Sequence, residues 1–273
     1  MKNILTLTNF TLREAFSRKI FITFIGVSTF ILLIFSILFA TTSLDDITSS
    51  IQLSGGSNQD ALYEIVKFFR VTIVIPLYGL GLFLSIFSTS SFIPNMLEKG
   101  NIDLLLSKPV SRSQIIWGKF LGGTLVVFIN IAYLVIGIWL LIGLKFGNWE
   151  PDLLYTILTI TFTFSVLYSL IILIGIATRS SLLAMMMTYL IFFILSPVLS
   201  ARDKIMMLTD SKIVENLLDG LYYILPKTNE LGELTSNIAT GSSIGDYQPI
   251  VTSLIFMILS LTLSIIIFSK KDY

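Results

Sequence analysis

Glu98-Lys-Gly-Asn-Ile-Asp-Leu-Leu-Leu-Ser-Lys-Pro-Val-Ser-Arg-Ser-Gln-Ile-Ile-Trp-Gly-Lys119 is a charged, turn-rich interruption between two apolar runs, residues 71–93 and 120–144, that carry no charge. Each run can cross a bilayer, since about 20 residues of helix span the hydrocarbon. The interruption holds Lys99, Lys108, Arg112 and Lys119 against Glu98 and Asp103. That positive balance predicts the cytoplasmic side. A loop that only joined two spans would need neither an amphipathic pattern nor capping chemistry, and this one has both.

Pro109 divides the stretch, because proline cannot continue a helix across it. Before it, Asn101 can cap a short helix with Asp103 in the first turn and Lys108 near the end, so that both charges complement the helix dipole. Ile102, Leu105 and Leu106 can share a face of that helix. After it, Ser111-Arg112-Ser113-Gln114 reads as a capping box, with Val110 and Ile115 at the spacing of a hydrophobic staple. The following helix therefore starts near Arg112 and runs straight into the membrane.

Outward from this point the chain reads as an all-α integral membrane protein. It is 54% hydrophobic and 13% charged, with mean hydropathy +0.88; soluble domains carry about 25% charged residues. Six uncharged spans are predicted at 20–40, 71–93, 120–144, 153–178, 182–200 and 250–268, within one transmembrane domain over 1–273 that lacks a nucleotide-binding domain. Arg179-Ser180-Ser181 makes the tight turn between the fourth and fifth. With both termini inside, the inner segments hold eleven basic and four acidic residues and the outer segments seven and thirteen. The positive-inside rule thus predicts an N-in, C-in topology.

The first span is not read as a signal peptide. A long segment precedes it, and about 21 apolar residues exceed an h-region. That N-terminal segment is weakly amphipathic. Ile4, Leu5, Leu12, Ala15 and Phe16 form one face and Lys2, Asn3, Thr6 and Arg13 the other, with Leu7 and Phe10 off the pattern. An interfacial helix is expected. In the outer segment 43–70, a Ser54-Gly-Gly-Ser-Asn58 turn precedes Asp60, the expected N-cap of a helix leading into the second span. In the outer segment 201–249, Ile213, Val214, Leu217, Leu218 and Leu221 share a face of a helix that Pro226 ends. That helix is expected to lie flat on the outer surface, with a lid or docking site as the alternative.

Several chemistries are excluded. There is no Cys and no His, so disulfides, thiolate metal sites, His-based zinc sites and Ser-His nucleophile pairs are absent. No Gly-x-x-x-x-Gly-Lys-Ser/Thr run occurs, so the chain has no phosphate-cradling loop. A net charge of +1 gives no basic field for nucleic acid. The spans contain no ionisable group of the kind that proton-coupled carriers use. Their polar content is Thr156, Thr159 and Thr163, a serine cluster at Ser85, Ser88, Ser90 and Ser91, Asn130, and the small-residue pair Gly118 and Gly122. All of these read first as helix-packing groups. Pro197 predicts a kink or helix end in the fifth span.

The stretch 98–120 resembles the cytoplasmic motif of ABC-2 type transporter permeases, which read Glu-basic-x-Gly-Thr-Leu-Glu-Leu-Leu-Leu-Ser-x-Pro-Val-Ser-Arg and then Gly-Lys. Asn101-Ile102-Asp103 stands where Thr-Leu-Glu is usual. The resemblance implies a permease subunit that is no enzyme by itself and exports an unidentified substrate across the cytoplasmic membrane. It implies a second permease copy and a cytoplasmic ATP-binding-cassette ATPase dimer as partners, with ATP and Mg bound by the ATPase and no cofactor in this chain. It further implies that Glu98, Asp103, Leu104, Leu105, Leu106, Lys108, Pro109, Ser111 and Arg112 couple the ATPase to the spans, the leucines filling a groove on it and Glu98, Lys108 and Arg112 pairing with its charges. The alternative is a non-transporting membrane anchor or scaffold for a cytoplasmic ATPase complex.

Overall fold

Among the described residues, six helices are long and apolar enough to cross a membrane, and they account for most of the chain. The computed structural model describes residues 2–17, 20–41, 58–107, 110–207, 212–243 and 245–271, with the backbone alone at 2, 20–21, 58–62 and 104–106. The described residues contain no strand. The order is α1 (Lys2–Ser17), α2 (Ile20–Thr41), α3 (Asn58–Thr89), α4 (Phe92–Met96), α5 (Asn101–Leu106), α6 (Arg112–Phe146), α7 (Asp152–Thr178), α8 (Ser181–Ser200), α9 (Arg202–Met206), α10 (Lys212–Ile224), α11 (Thr228–Ala239) and α12 (Gln248–Lys270). Spans two to six are α3, α6, α7, α8 and α12, and the apolar run of each marks it in the sequence.

The central post is α7. Of its most apolar window 72% is buried, against 17% for α2, so α7 sits inside the bundle and α2 on its rim. Most of its Ser and Thr hydroxyls are returned to its own backbone, Thr161 being an exception. Thr156 donates to Leu153 O at 2.6 Å, Thr163 to Thr159 O at 2.9 Å and Ser165 to Thr161 O at 2.7 Å. This is how a buried helix in hydrocarbon keeps polar side chains satisfied. Gly123 of α6 admits the Tyr168 ring of α7, which a Cβ would strike. The turn after α7 puts Arg179 in the left-handed region, φ 56°, and Ser180 caps α8 by accepting from Leu183 N at 3.3 Å. The predicted irregularity in the fifth span is a π-helical turn, Leu190–Leu195, ahead of Pro197. The wider turn accommodates a residue that lacks an N–H.

The N-terminal segment is a helix, and one of its faces is packed on the bundle. α1 packs against α6 through Thr11 and Ala15, both buried, and through Leu7. Leu5 and Phe16, on the apolar face expected of an interfacial helix, are not covered by the bundle. The reason is on the partner helix. Gly118 and Gly122 form a shallow track, and a Cβ on Gly122 would lie 2.5 Å from Thr11 Cβ. Small residues let the backbones approach, so Leu7 and Thr11 enter the track although neither strengthens the apolar moment. Lys119 Nζ meets Glu14 Oε2 at 2.6 Å beside it.

Two capping expectations are also corrected. α3 begins at Asn58, so Asp60 lies inside the helix rather than at its cap; residues 54–57 of the expected turn fall outside the described residues. Asn101 is the first residue of α5 and its amide donates to Asn95 O at 2.9 Å, so it does not cap by accepting. Gly100, φ 98°, makes the turn before it.

Candidate coupling site

α3 ends at Thr89, and the chain turns through Ser90 and Ser91 into α4, whose Phe92, Ile93, Pro94 and Met96 are buried. Ile93 sits against Gly175 of α7, where a Cβ would come within 3.3 Å. Leu97 and Ile102 continue the burial. α5 is thus anchored to the core by Ile102 and leaves Glu98, Lys99, Gly100, Asn101, Asp103 and Ser107 at the surface. The side chains of Leu104, Leu105 and Leu106, and all of Lys108 and Pro109, fall outside the described residues.

The elbow after Pro109 is built as its sequence predicts. Ser111 is extended, φ −76° and ψ 152°; its hydroxyl accepts from Gln114 N at 3.3 Å, and its own N–H donates to Gln114 Oε1 at 3.1 Å. Both halves of the capping box are made. From it runs a single 35-residue helix through the membrane. Val110 and Ile115 both join the main core.

Arg112 binds within the chain. Its Nη1 donates to Phe268 O and Lys271 O, each at 2.6 Å, and to Ser269 O at 3.2 Å. These are the free carbonyls at the end of α12, and a guanidinium there satisfies them and complements the dipole. Lys271 in turn donates to Ile176 O and Ala177 O at the end of α7, both at 2.8 Å. Elbow, last helix and central post are tied at one end of the bundle. Arg112, expected to pair with charge on the ATPase, thus also has carbonyl partners about 160 residues away, which leave no local signal in the sequence.

The opposite end holds groups the sequence reading missed. Arg70 is buried and pairs with Glu150 at 3.0 Å while also donating to Asn148 Oδ1. α11, unanticipated, enters the bundle with Leu231, Leu234 and Thr235 buried, its Gly232 against the Tyr78 ring. Tyr78 donates to Thr228 O, and Thr235 to Thr159 Oγ1 at 3.0 Å. On α10 the apolar face is only half seated. Leu218 is buried with Tyr222, whereas Ile213 and Leu217 are exposed. Tyr222 lies between two cations, Arg202 at 3.3 Å and Lys227 at 3.8 Å from its ring centre. Burial, with Glu230 adding to it, pushes the Tyr222 hydroxyl up to about 12. Burial also disfavours the Lys227 ammonium.

The family model for ABC-2 family transporter proteins matches residues 23–273. The chain belongs to the ABC-2 transporter family. It is a multi-pass membrane protein of that family, whose membrane subunits do not hydrolyse ATP themselves and work with a partner ATP-binding-cassette protein. No curated protein matches the chain significantly. The match takes in α5 and the Ser111 elbow together with all six spans, and leaves α1 outside except as a neighbour packed on α6.

Proposed function

We propose that this chain is the permease subunit of an ATP-driven exporter in the cytoplasmic membrane, with both termini and α5 on the cytoplasmic side. A separate ATPase dimer binds ATP and Mg, and a second permease copy completes the pathway. The observation that carries this reading is a short exposed helix held by a core anchor, Ile102, on one side and by a complete capping box on the other. A push on α5 acts on a helix tied to the core at Ile102. It passes to the 35-residue α6 through Ser111 and Gln114. Through Arg112 it reaches α12, and through Lys271 the post α7. Glu98, Asp103 and Lys108 present charge to the ATPase, Leu104 to Leu106 fill its groove, and Pro109 is a residue that cannot continue a helix from α5 into α6.

The test is charge reversal, Glu98→Lys with Asp103→Lys, and separately Lys108→Glu, in a chain co-expressed with its ATPase. Reversal is expected to abolish co-purification and stimulated ATP hydrolysis. If both persist, the coupling assignment fails. If co-purification persists in the wild-type protein but ATP hydrolysis never depends on this chain, the anchor reading replaces the transporter.

A further inference from the structure

Two cavities open among the spans, and neither is lined by a charged side chain. The first, about 260 Å3, lies between α2, α3 and α6 and is walled by residues such as Ile31, Phe35, Leu80 and Leu134. The second, about 460 Å3, lies toward the α5 end and is rimmed by Ser88, Ser90, Ser91 and Ser181. They share Phe24, Val27 and Leu84 in their walls, so a hydroxylated cavity adjoins an apolar chamber.

Two polar groups line the chamber without a partner among the described residues, the Thr72 hydroxyl near the outer end of α3 and, deeper in, the Asn130 amide nitrogen. Ser28 of α2 donates to Asn130 Oδ1 of α6 at 3.1 Å. The neighbouring Thr29 and Tyr133 hydroxyls bond each other at 3.1 Å, and Ser85 donates to Gly81 O at 2.7 Å. Among the described residues the amide nitrogen of Asn130 has no acceptor, and it is not sealed in the protein. In hydrocarbon an unmade donor is costly, and no water is there to replace the partner.

Depth decides what the partner is. Asn130 lies ten residues into the apolar run that starts at Phe120, about 15 Å at about 1.5 Å per residue, which is the middle of a core about 30 Å thick. A bilayer lipid at its ordinary depth brings only chain ends there, and its ester oxygens stay at the interface. We propose that this chamber binds an uncharged, apolar molecule that carries a hydrogen-bond acceptor, a carbonyl or ether oxygen, within its hydrophobic body, and that the Asn130 amide is the group that selects it. The serine rim receives an uncharged polar end. The absence of charged lining residues excludes carboxylate, phosphate and ammonium groups from the chamber. This deepens the exporter reading and rests on it for the direction of movement.

The test uses the whole chain, without ATPase, in phosphatidylcholine nanodiscs. Two photoactivatable alkyl probes of equal length are compared, one with a mid-chain ketone and one with a methylene at that position, and the labelled peptides are mapped by mass spectrometry. The ketone probe is expected to label chamber-lining peptides about five-fold more, the yield of one ordinary hydrogen bond. Asn130→Leu is expected to bring the two probes to parity. Ser28→Ala, which leaves the amide nitrogen in place, is expected to keep the preference and serves should the first variant fail to fold. Equal labelling in the wild-type chain means that bilayer chains fill the space, and overturns the proposal. So does a ketone preference that survives Asn130→Leu, or one that Ser28→Ala abolishes. Because no ATPase is present, failure here leaves the coupling of α5 untouched, and failure of coupling leaves this binding untouched.

Discussion

Replacing Glu14 by Gln removes the carboxylate that pairs with Lys119. The lysine side chain is 5% exposed, the glutamate 17%, and the pair is closed at 2.6 Å. Removing one partner of a buried ion pair costs about 3–5 kcal/mol. The lower end applies here. Glu14 is not fully buried, and Lys119 keeps the Phe10 ring 5.8 Å from its ammonium, a contact worth about 0.5–1 kcal/mol. A net cost of about 2–3 kcal/mol corresponds to roughly 30- to 150-fold in the docked-to-undocked ratio of α1, at about 1.4 kcal/mol per tenfold. The consequence is local, because α1 is joined to the bundle through this pair and through the Gly118–Gly122 track. Hydrogen exchange on purified protein in detergent or nanodiscs reads it directly. Protection across residues 4–16 is expected to fall by one and a half to two decades, about the same factor, with α7 unchanged. Glu14→Gln combined with Lys119→Met is expected to recover more than half of the loss, since both charges are then gone. If the single variant changes protection less than about three-fold, or the double variant is worse than either single one, the pair does not hold α1 and the reasoning fails.

Gly122→Ala is expected to loosen α1 by about 1–3 kcal/mol through overpacking against Thr11, whereas Gly26→Ala on α2, where an added Cβ meets nothing within 4 Å, is expected to be neutral or stabilising; thermal melts of the two compare them. Ser111→Ala is expected to cost about 1 kcal/mol and to fray the first turn of α6 only, with Ser111→Asp restoring it, as read by exchange at residues 112–115. For Tyr222 the sign runs against alkaline stability. Its hydroxyl ionises near 10 when unfolded and about 12 in place, so the folded chain holds the extra proton between these values and the stabilisation, complete below pH 10, is lost as pH rises toward 12. Tyr222→Phe is expected to flatten that part of an alkaline melting series, which Lys227, its ammonium disfavoured by burial, tilts the opposite way at lower pH. Gly232→Leu is expected to displace α11, since even a Cβ would lie 2.8 Å from the Tyr78 ring; loss of protection in residues 228–239 is the readout.

The spans and the elbow were legible because their causes are local. Apolar runs of membrane length leave few alternatives, and a Ser-x-x-Gln box with flanking apolar residues states its own hydrogen bonds. The packed face of α1 was not legible, because Gly118 and Gly122 choose it from more than a hundred residues away. The same holds for Arg112, whose charge reads as a surface contact until the end of α12 is placed beside it. α11 hid behind a polar composition. Leu231, Leu234 and Ile238 recur at helical spacing just after Pro226, yet three of the five residues the helix buries are Thr228, Thr235 and Ala239, which are small or hydroxylated and weigh little in a hydropathy reading. Asn130 was visible as a polar residue in a span, but its unfilled donor could be seen only once Ser28 was found to take the other half of the amide.

The π turn in α8 gives that span a spare residue. Ser196 N pairs with Ile191 O, five residues back. Were that turn to return to α-helical pairing, everything beyond it would advance by one position, about 100° around the axis. Phe192, buried beside Tyr78, and Phe193, beside Phe83 and exposed, lie within the turn and would both rotate in the same sense, one toward the direction the other now takes, without a break in the helix. The fifth span thus carries a built-in one-tooth gear, by which its far half can be re-aimed while the near half, held by the Tyr189 hydroxyl on Phe83 O, stays where it is.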